Sequence, residues 1–428
     1  MLQALLAGVA SIKAQQTRMN VIGNNLANVN TTAFKSSRVT FQEMIAQTVR
    51  GATRPTDGGL GGTNPVQYGL GVRVGGTDTN LEQGSLQSTN RSTDLAIQGS
   101  GYFLVSDGAR VAYTRDGGFD LDANGSLVQR TTGERLLGWL ADGFGVIDTN
   151  TPIGPASTIS IPLGSLNAVQ VSTAANFAGN LNANAAPTES WATTYRVYDA
   201  LGGSHDVRIS FNNHQVPPPA VPAPPAGAVS SWDWTVTEGA TTIGSSATTG
   251  QRLYFNNDGQ LINAAAVQTI TVPTGTNGAT AFPVTLGFAE ISQLETETQI
   301  AMTDQNGFPP GSLSSFTISV DGRITGLFTN GLTRALGQIA MSVFPNPAGL
   351  ERIGNNMWRP TDNSGIPVTG PPRQAGRGGV NAGFLEQSNV DLGGEFTELI
   401  VTQRGFQANT RVVTTVDEML QDLLNMKR

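Results

Sequence analysis

A mainly β protein with α-helical termini is what this chain predicts, and three observations predict it. Both ends carry apolar residues at helical spacing. The interior alternates apolar and polar residues in short runs, broken by Asn-Gly and Asp-Gly pairs. The 428 residues include 52 Gly and 22 Pro, with only 13% charged and 38% hydrophobic residues, a balance that suits many tight turns and half-polar sheets. The length allows roughly two to four domains.

The C-terminal run from Phe396 to Leu424 has the strongest pattern. Leu399, Phe406, Val413 and Leu420 recur at coiled-coil spacing. The companion row is Phe396, Gln403, Thr410, Asp417 and Leu424, apolar only at its ends. A second stripe, Val412, Val416, Met419, Leu423 and Met426, widens the apolar face, and neither Gly nor Pro follows Gly405. At the other end, Leu2, Leu5, Val9, Ile12, Gln16 and Met19 alternate three and four apart. The opening MLQALLAGVASIK mimics a signal sequence but has no basic leader, and its pattern continues past Lys13. It therefore reads as a retained amphipathic helix. The two ends are expected to form a coiled-coil-like helix pair. Isolated helices of this length are marginal in water, so the tails are expected to order on assembly.

Asn24, Asn25, Asn28 and Asn30 close the first helix, as residues that favour caps and turns, and Phe34 and Phe41 follow as apolar anchors. The Gly-rich stretch Gly51–Gly76 has the spacing of neither a dinucleotide loop nor a P-loop and reads as a linker or extended clasp. Strand patterning begins near residue 77. Leu95, Ile97 and Tyr102–Val105 alternate with polar neighbours, and hairpins turn at Asp116-Gly117-Gly118 and Asp122-Ala123-Asn124-Gly125. Asp120, Asp122, Asn124 and Gly125 open like a calcium loop. Its twelfth position is Thr131, however, and Asn-Gly is a hairpin-turn signal, so no metal is expected.

From 149 to 294 Ala, Thr, Asn and Pro dominate, with strand signals at Tyr195–Tyr198, Val207–Phe211, Trp232–Val236 and Val284–Phe288 and a proline-rich spacer near 216–227. Strands in the earlier style resume from 295 to 370, turning at Asn306-Gly307, Asp321-Gly322 and Asn330-Gly331. The expected organisation is nested. Residues 1–28 and 390–428 form a terminal helical domain, with 29–76 and 371–389 as connecting segments. Residues 77–148 and 295–370 form an inner, discontinuous β domain, and 149–294 an inserted outer one.

Two segments carry a resemblance. NNLANVNTTAFKSSR, with Asn24, Asn25, Leu26, Asn28, Phe34 and Lys35, resembles the N-terminal signature of the bacterial flagellar axial proteins, the rod and hook family. Ala33 stands where that family often has Gly. Leu385-Glu386-Gln387-Ser388-Asn389-Val390-Asp391 and Gln403-Arg404-Gly405-Phe406-Gln407-Ala408-Asn409 resemble its C-terminal signature. Asp94-Leu95-Ala96-Ile97, Gly101-Tyr102-Phe103, Asn306-Gly307 with Pro310-Gly311, and Leu336-Gly337-Gln338-Ile339 also match. The resemblance implies a subunit that polymerises into the hook, exported without a cleaved signal to an extracellular flagellum. The implied partners are copies of itself, the distal rod, the hook cap, hook–filament junction proteins and the export apparatus. The distal rod proteins of the family are the alternative. They are expected to be shorter, though they can carry extra sequence where the Gly-rich stretch lies.

Read from residues alone, self-assembly through Leu2, Leu5, Val9, Ile12, Met19, Phe396, Leu399, Phe406, Val413, Leu420 and Leu424 competes with a secreted β-rich binding protein or glycosidase. There is no Cys, and only His205 and His214 are available as imidazoles. Neither suggests a triad, and no G-x-S-x-G or H-E-x-x-H occurs. Spacing cannot exclude paired carboxylates, but Glu290, Glu295 and Glu297 are better explained as a solvated strand or loop. No enzyme and no cofactor are expected. The net charge of −7 argues against nucleic acid or an anionic membrane as partner, and no run reaches the roughly 18 apolar residues of a membrane span.

Overall fold

The computed structural model describes residues 2–54, 62–164, 167–220, 223–262, 268–275 and 278–426. The side chains of Leu2, Asn167 and Leu423 lie outside the described residues, as do parts of the Gly-rich and proline-rich stretches. Two long helices, Leu2–Ala27 and Leu392–Met426, bracket a β-rich interior. The first ends at the asparagine cluster, where Asn28 donates its backbone N–H to the Asn24 carbonyl and its side-chain amide to the same oxygen.

The chain then builds a long β arm. Strand β1 (Ser37–Glu43) continues into β2 (Ala46–Arg50), and the return runs through β3 (Val66–Gly69) and β4 (Val72–Thr79). β1 pairs antiparallel with β4, from Ser37 opposite Thr79 to Glu43 opposite Val72, and β2 pairs with β3. Val66–Gly69 and Val72–Gly76 of the Gly-rich stretch are thus strand in an arm laid along the N-terminal helix. Gly71, at φ +112, sits against Ala7 and Ala10, where a Cβ would meet the Ala7 backbone at 3.2 Å. Gln3 bonds Gln47 at 2.8 Å farther along.

Two cores follow. In the inner one, a nine-stranded sheet containing Tyr102–Ser106 and Val111–Thr114 shares its apolar face with a five-stranded sheet containing Phe308–Ile318, Arg323–Phe328 and Thr333–Ile339. Strand alternation divides the labour: Phe103 and Val105 join this core, while Tyr102 and Leu104 face a second cluster with Tyr113, Phe344 and Trp358. The outer core packs Phe177, Phe211, Trp232, Trp234 and Phe288 between a four-stranded and a five-stranded sheet. Ala174–Asn182 pairs parallel with Phe282–Leu294 there.

Core membership changes between Ala168 and Ala175 and again between Ile300 and Leu313. Ile159 and Ile161 therefore belong to the inner core despite the compositional change at residue 149. Composition responds to surface and turns, whereas core membership follows which side chains meet. The Asp120–Gly125 stretch is a hairpin turn in which the Asp122 carboxylate accepts from Asn124 and Ser126 N–H groups. No described helix is long and apolar enough to cross a membrane.

Candidate functional site

The two terminal helices pack antiparallel. Gly8 faces Val413, where a Cβ would lie 3.1 Å from the valine methyl, and Gly405 faces Gln15. Asn409 donates to the Ser11 hydroxyl at 2.7 Å, and Arg18 pairs with Glu398 at 3.1 Å. The seam is narrow because one helix presents Gly8, Ser11 and Ala14, which let the backbones approach.

The C-terminal helix therefore buries a different companion row from the one read off its sequence. Leu399, Phe406, Val413 and Leu420 are half-buried, but beside them lie Thr402, Asn409 and Val416, with Thr402 1% and Val416 6% exposed. Gln403, Thr410 and Asp417 are exposed, as are Phe396 at 50% and Leu424 at 70%. On the N-terminal helix the fully buried positions are Gly8, Ala14, Ile22 and Asn25, while Leu5, Val9, Ile12 and Met19 are half-buried. Leu2 and Leu423 open and continue these stripes, but their side chains lie outside the described residues. With Gly8 opposite Val413, the last turns of the 35-residue helix run past the start of the 26-residue one. Leu6, Phe396, Ile400, Val401, Val412, Met419, Leu424 and Met426 all remain exposed.

The signature residues meet at the base of the pair. Asn25 is 1% exposed. Its amide donates to the Ser37 carbonyl and to Glu395, each at 2.8 Å, and its oxygen accepts from the Ser37 N–H at 3.0 Å. One side chain thus ties the first helix, the β arm and the last helix. Asn28 accepts from Thr31, and Asn24 accepts from Asn28. Leu26 is half-buried, and Phe34 is buried under the Arg352 guanidinium at 5.4 Å. Ala33 holds φ +56, the left-handed conformation that glycine adopts without strain.

Lys35 is 2% exposed and donates to Glu386 and to the Glu82 carbonyl, both at 2.6 Å. The other Glu386 oxygen pairs with Arg115 at 3.1 Å. Burial pulls the Lys35 ammonium below its usual range, although the Glu386 carboxylate pulls the other way. Asn389 accepts from the Ser36 N–H at 2.8 Å and donates to the Asn80 and Glu82 carbonyls. Asp391 caps the last helix, accepting from the Gly393 N–H at 3.0 Å. Gln403 and Arg404, the remaining signature residues, are exposed on the outer face of that helix.

Glu386 and Arg115 are the members that sequence reasoning missed as site residues. Glu386 stood within the quoted C-terminal motif, and the signal was available in principle: a lysine between Phe34 and a turn needs a carboxylate if it is buried. Nothing in the local pattern marks Arg115 as its second partner.

The same segments match known flagellar families. Residues 5–35 match "Flagella basal body rod protein", 96–176 "Flagellar hook protein FlgE/F/G D1 domain", 165–308 "Flagellar basal body protein FlaE D2 domain", and 381–426 "Flagellar basal body rod FlgEFG protein C-terminal". The chain is 35% identical to the flagellar hook protein FlgE of Treponema pallidum (strain Nichols), covering 100% of both. It is 30% identical to the flagellar basal-body rod protein FlgG of Bacillus subtilis (strain 168), also over 100% of both, so length does not separate hook from rod as the sequence argument expected. The crystal structure of Helicobacter pylori flagellar hook protein FlgE2 shares the fold at a TM-score of 0.51 and 14% identity, over 70% of this chain and 100% of that one. Full-length likeness at this level, with a family match at each end and in both β regions, places the molecule: it belongs to the flagellar hook protein family.

Proposed function

We propose that the chain is the structural subunit of the flagellar hook. Copies polymerise into the flexible tube that couples the basal-body rod to the filament and passes on motor torque. The observation that carries this reading is the uncovered apolar face on two helices already paired with each other. Burying Phe396, Ile400, Val401, Val412 and Met419 against neighbouring copies contributes roughly 1.5–3 kcal/mol per fully covered side chain. A repeated contact that does not close on itself generates a helical tube.

The neighbours in this reading are the distal rod, the hook cap, the hook–filament junction proteins and the export apparatus. The place is the extracellular flagellum. The nested division, an axial helical part with an inner and an outer β domain, belongs to the same proposal, as does the assembly role of the terminal side chains. We read the chain as non-catalytic. His205 lies 2.6 Å from Glu238 and 3.4 Å from Asp199, and His214 bonds the Ala185 carbonyl and Gln293. Each histidine is engaged in holding the outer fold.

Ile400→Asp tests the reading, because Ile400 is 54% exposed and its loss leaves the single chain intact. The expected result is an unchanged circular dichroism spectrum, no tubes from purified protein and no hooks on cells. Deletion of residues 396–428 should behave the same way in assembly. Normal tubes from either variant would overturn the proposal. A distal rod subunit is the second reading, favoured by the full-length likeness to a rod-named protein. Complementation separates the two, since a hook subunit restores a strain lacking its hook protein and not one lacking its distal rod protein.

A further inference from the structure

One mouth of the outer sandwich is a cleft of about 270 Å³. Trp191 and Trp232 line it, with Asn182, Glu189 and Glu297 around them. Trp191 is half-buried, packed against the outer core beside Phe211. Trp232 is 1% exposed, and its ring is stacked on that of His214 at 5.0 Å. His214 is itself fixed by the Ala185 carbonyl and by Gln293, so this wall of the cleft is held in place. The Trp232 Nε1–H is buried and meets no acceptor among the described residues. A buried donor without a partner is strongly disfavoured, and Trp139 and Trp234 show the ordinary outcome, each donating to a backbone carbonyl. Glu189 and Glu297 are exposed at the rim. Past Glu297 the cleft continues into a shallower groove lined by Asn180, Glu290 and Ser292. No described Lys or Arg lines either space.

These groups define what would complement them. An indole N–H only donates, and an ionised carboxylate only accepts. A ligand that spans both must carry groups that do both, as hydroxyls do. It must also offer an apolar face to Trp191. An organic cation would answer the carboxylates and leave the Trp232 N–H unmet. A sugar ring meets all three demands, with C–H groups for the indole face and hydroxyls for the rest. The cleft is just smaller than the about 300–1,000 Å³ of drug-sized ligand pockets. It therefore suits one ring, with the groove past Glu297 for the next.

We propose that the outer β region carries a glycan-binding site: Trp191 stacks a sugar ring, Trp232 donates to one of its oxygens, and Glu189 and Glu297 accept from its hydroxyls. The acidic rim selects neutral or amino sugars over uronic acids, because like charge repels an anionic chain. The site stands whether the chain builds a hook or a distal rod, since every group it uses belongs to the outer β region.

Nuclear magnetic resonance of the full chain, labelled with heavy nitrogen at tryptophan, reads the five indole N–H groups separately. The probes are cellotriose, maltotriose and chitotriose, with trigalacturonate as the anionic control. At least one neutral trisaccharide should shift the Trp191 and Trp232 signals in a saturable titration, the Trp232 signal moving downfield as it gains an acceptor. The Trp139 and Trp358 signals should stay unmoved. Trigalacturonate should bind roughly tenfold more weakly or worse. Glu297→Gln should weaken binding of the neutral probe roughly tenfold, and Trp191→Ala by roughly tenfold or more. Because Trp191→Ala also removes a core contact, the exposed Glu297→Gln decides if that variant fails to fold. A Trp232 signal unmoved by all three neutral probes would overturn the proposal. So would equal binding of trigalacturonate, or undiminished binding by Glu297→Gln.

Discussion

Asn25→Ala is the most informative single substitution at the base of the helix pair. It removes three hydrogen bonds, two to the Ser37 backbone and one to the Glu395 carboxylate. Neutral bonds contribute about 0.5–1.5 kcal/mol each and a charged one about 1.5–3 kcal/mol, for a total of about 2.5–6 kcal/mol. Glu395 is only half-buried, so solvent recovers part of its share, leaving about 3 kcal/mol. That is roughly a hundredfold rise in local opening where helices and arm meet.

The effect should also depend on pH. Burial raises the Glu395 carboxyl above its ordinary value of 4.5, and the Asn25 bond opposes the rise. The folded protein therefore binds this proton more tightly than the unfolded chain, and the associated stability is fully present below about 4.5. It is lost as pH rises through the raised folded value. Removing Asn25 raises that value further, so the penalty of the variant should grow from pH 4 to pH 7. Exchange of the amides of residues 36–38 and 395–398, compared between variant and wild type across that range, measures both quantities. A penalty independent of pH, or wild-type exchange at either segment, would refute the reasoning.

Ala33→Gly should be nearly neutral, within about 1 kcal/mol by urea denaturation. Relief of about 1–2 kcal/mol of left-handed strain at φ +56 is opposed by about 0.5–1 kcal/mol of added backbone freedom and the loss of one buried methyl at about 0.8 kcal/mol. Trp234→Phe removes a fully buried indole and its bond to the Gln251 carbonyl, at a cost of about 2–3 kcal/mol. Calorimetry should show the outer domain melting earlier with the inner β transition unmoved, whereas a single shifted transition would mean the two cores unfold as one.

Both terminal helices were legible because their patterns run long. On the C-terminal helix the row buried beside the main seam lies one position before the companion row read from sequence. A seven-residue repeat fixes one row, here Leu399 to Leu420, but leaves open whether its neighbour lies three or four positions on. The partner decides, and the small Ser11 admits Asn409, which hydrophobic counting ignores. The β arm was unreadable for a related reason. Its described strands are largely exposed, so burial of apolar residues does not mark them, and they are held by a helix that local pattern does not reveal. Asn25, Asn28, Phe34 and Lys35 stood out only as a motif. That Lys35 is answered by Glu386 and Arg115 is a fact of tertiary closure, invisible to any window of neighbouring residues.

The neck between the two β cores has a mechanical meaning. The strand that leaves the inner core, Asn167–Gln170, lies hydrogen-bonded beside the returning strand Phe308–Ile318, with Ala168 opposite Gly311 and Gln170 opposite Phe308. Just beyond, Asn306 accepts from the Thr173 and Ala174 N–H groups, and Ser172 bonds Gln305. Tension pulled in along one strand crosses these rungs to the other and returns without stretching the outer core. That core hangs from the load path as a spur. Its size and surface can be altered while the route through the inner sheet keeps its length.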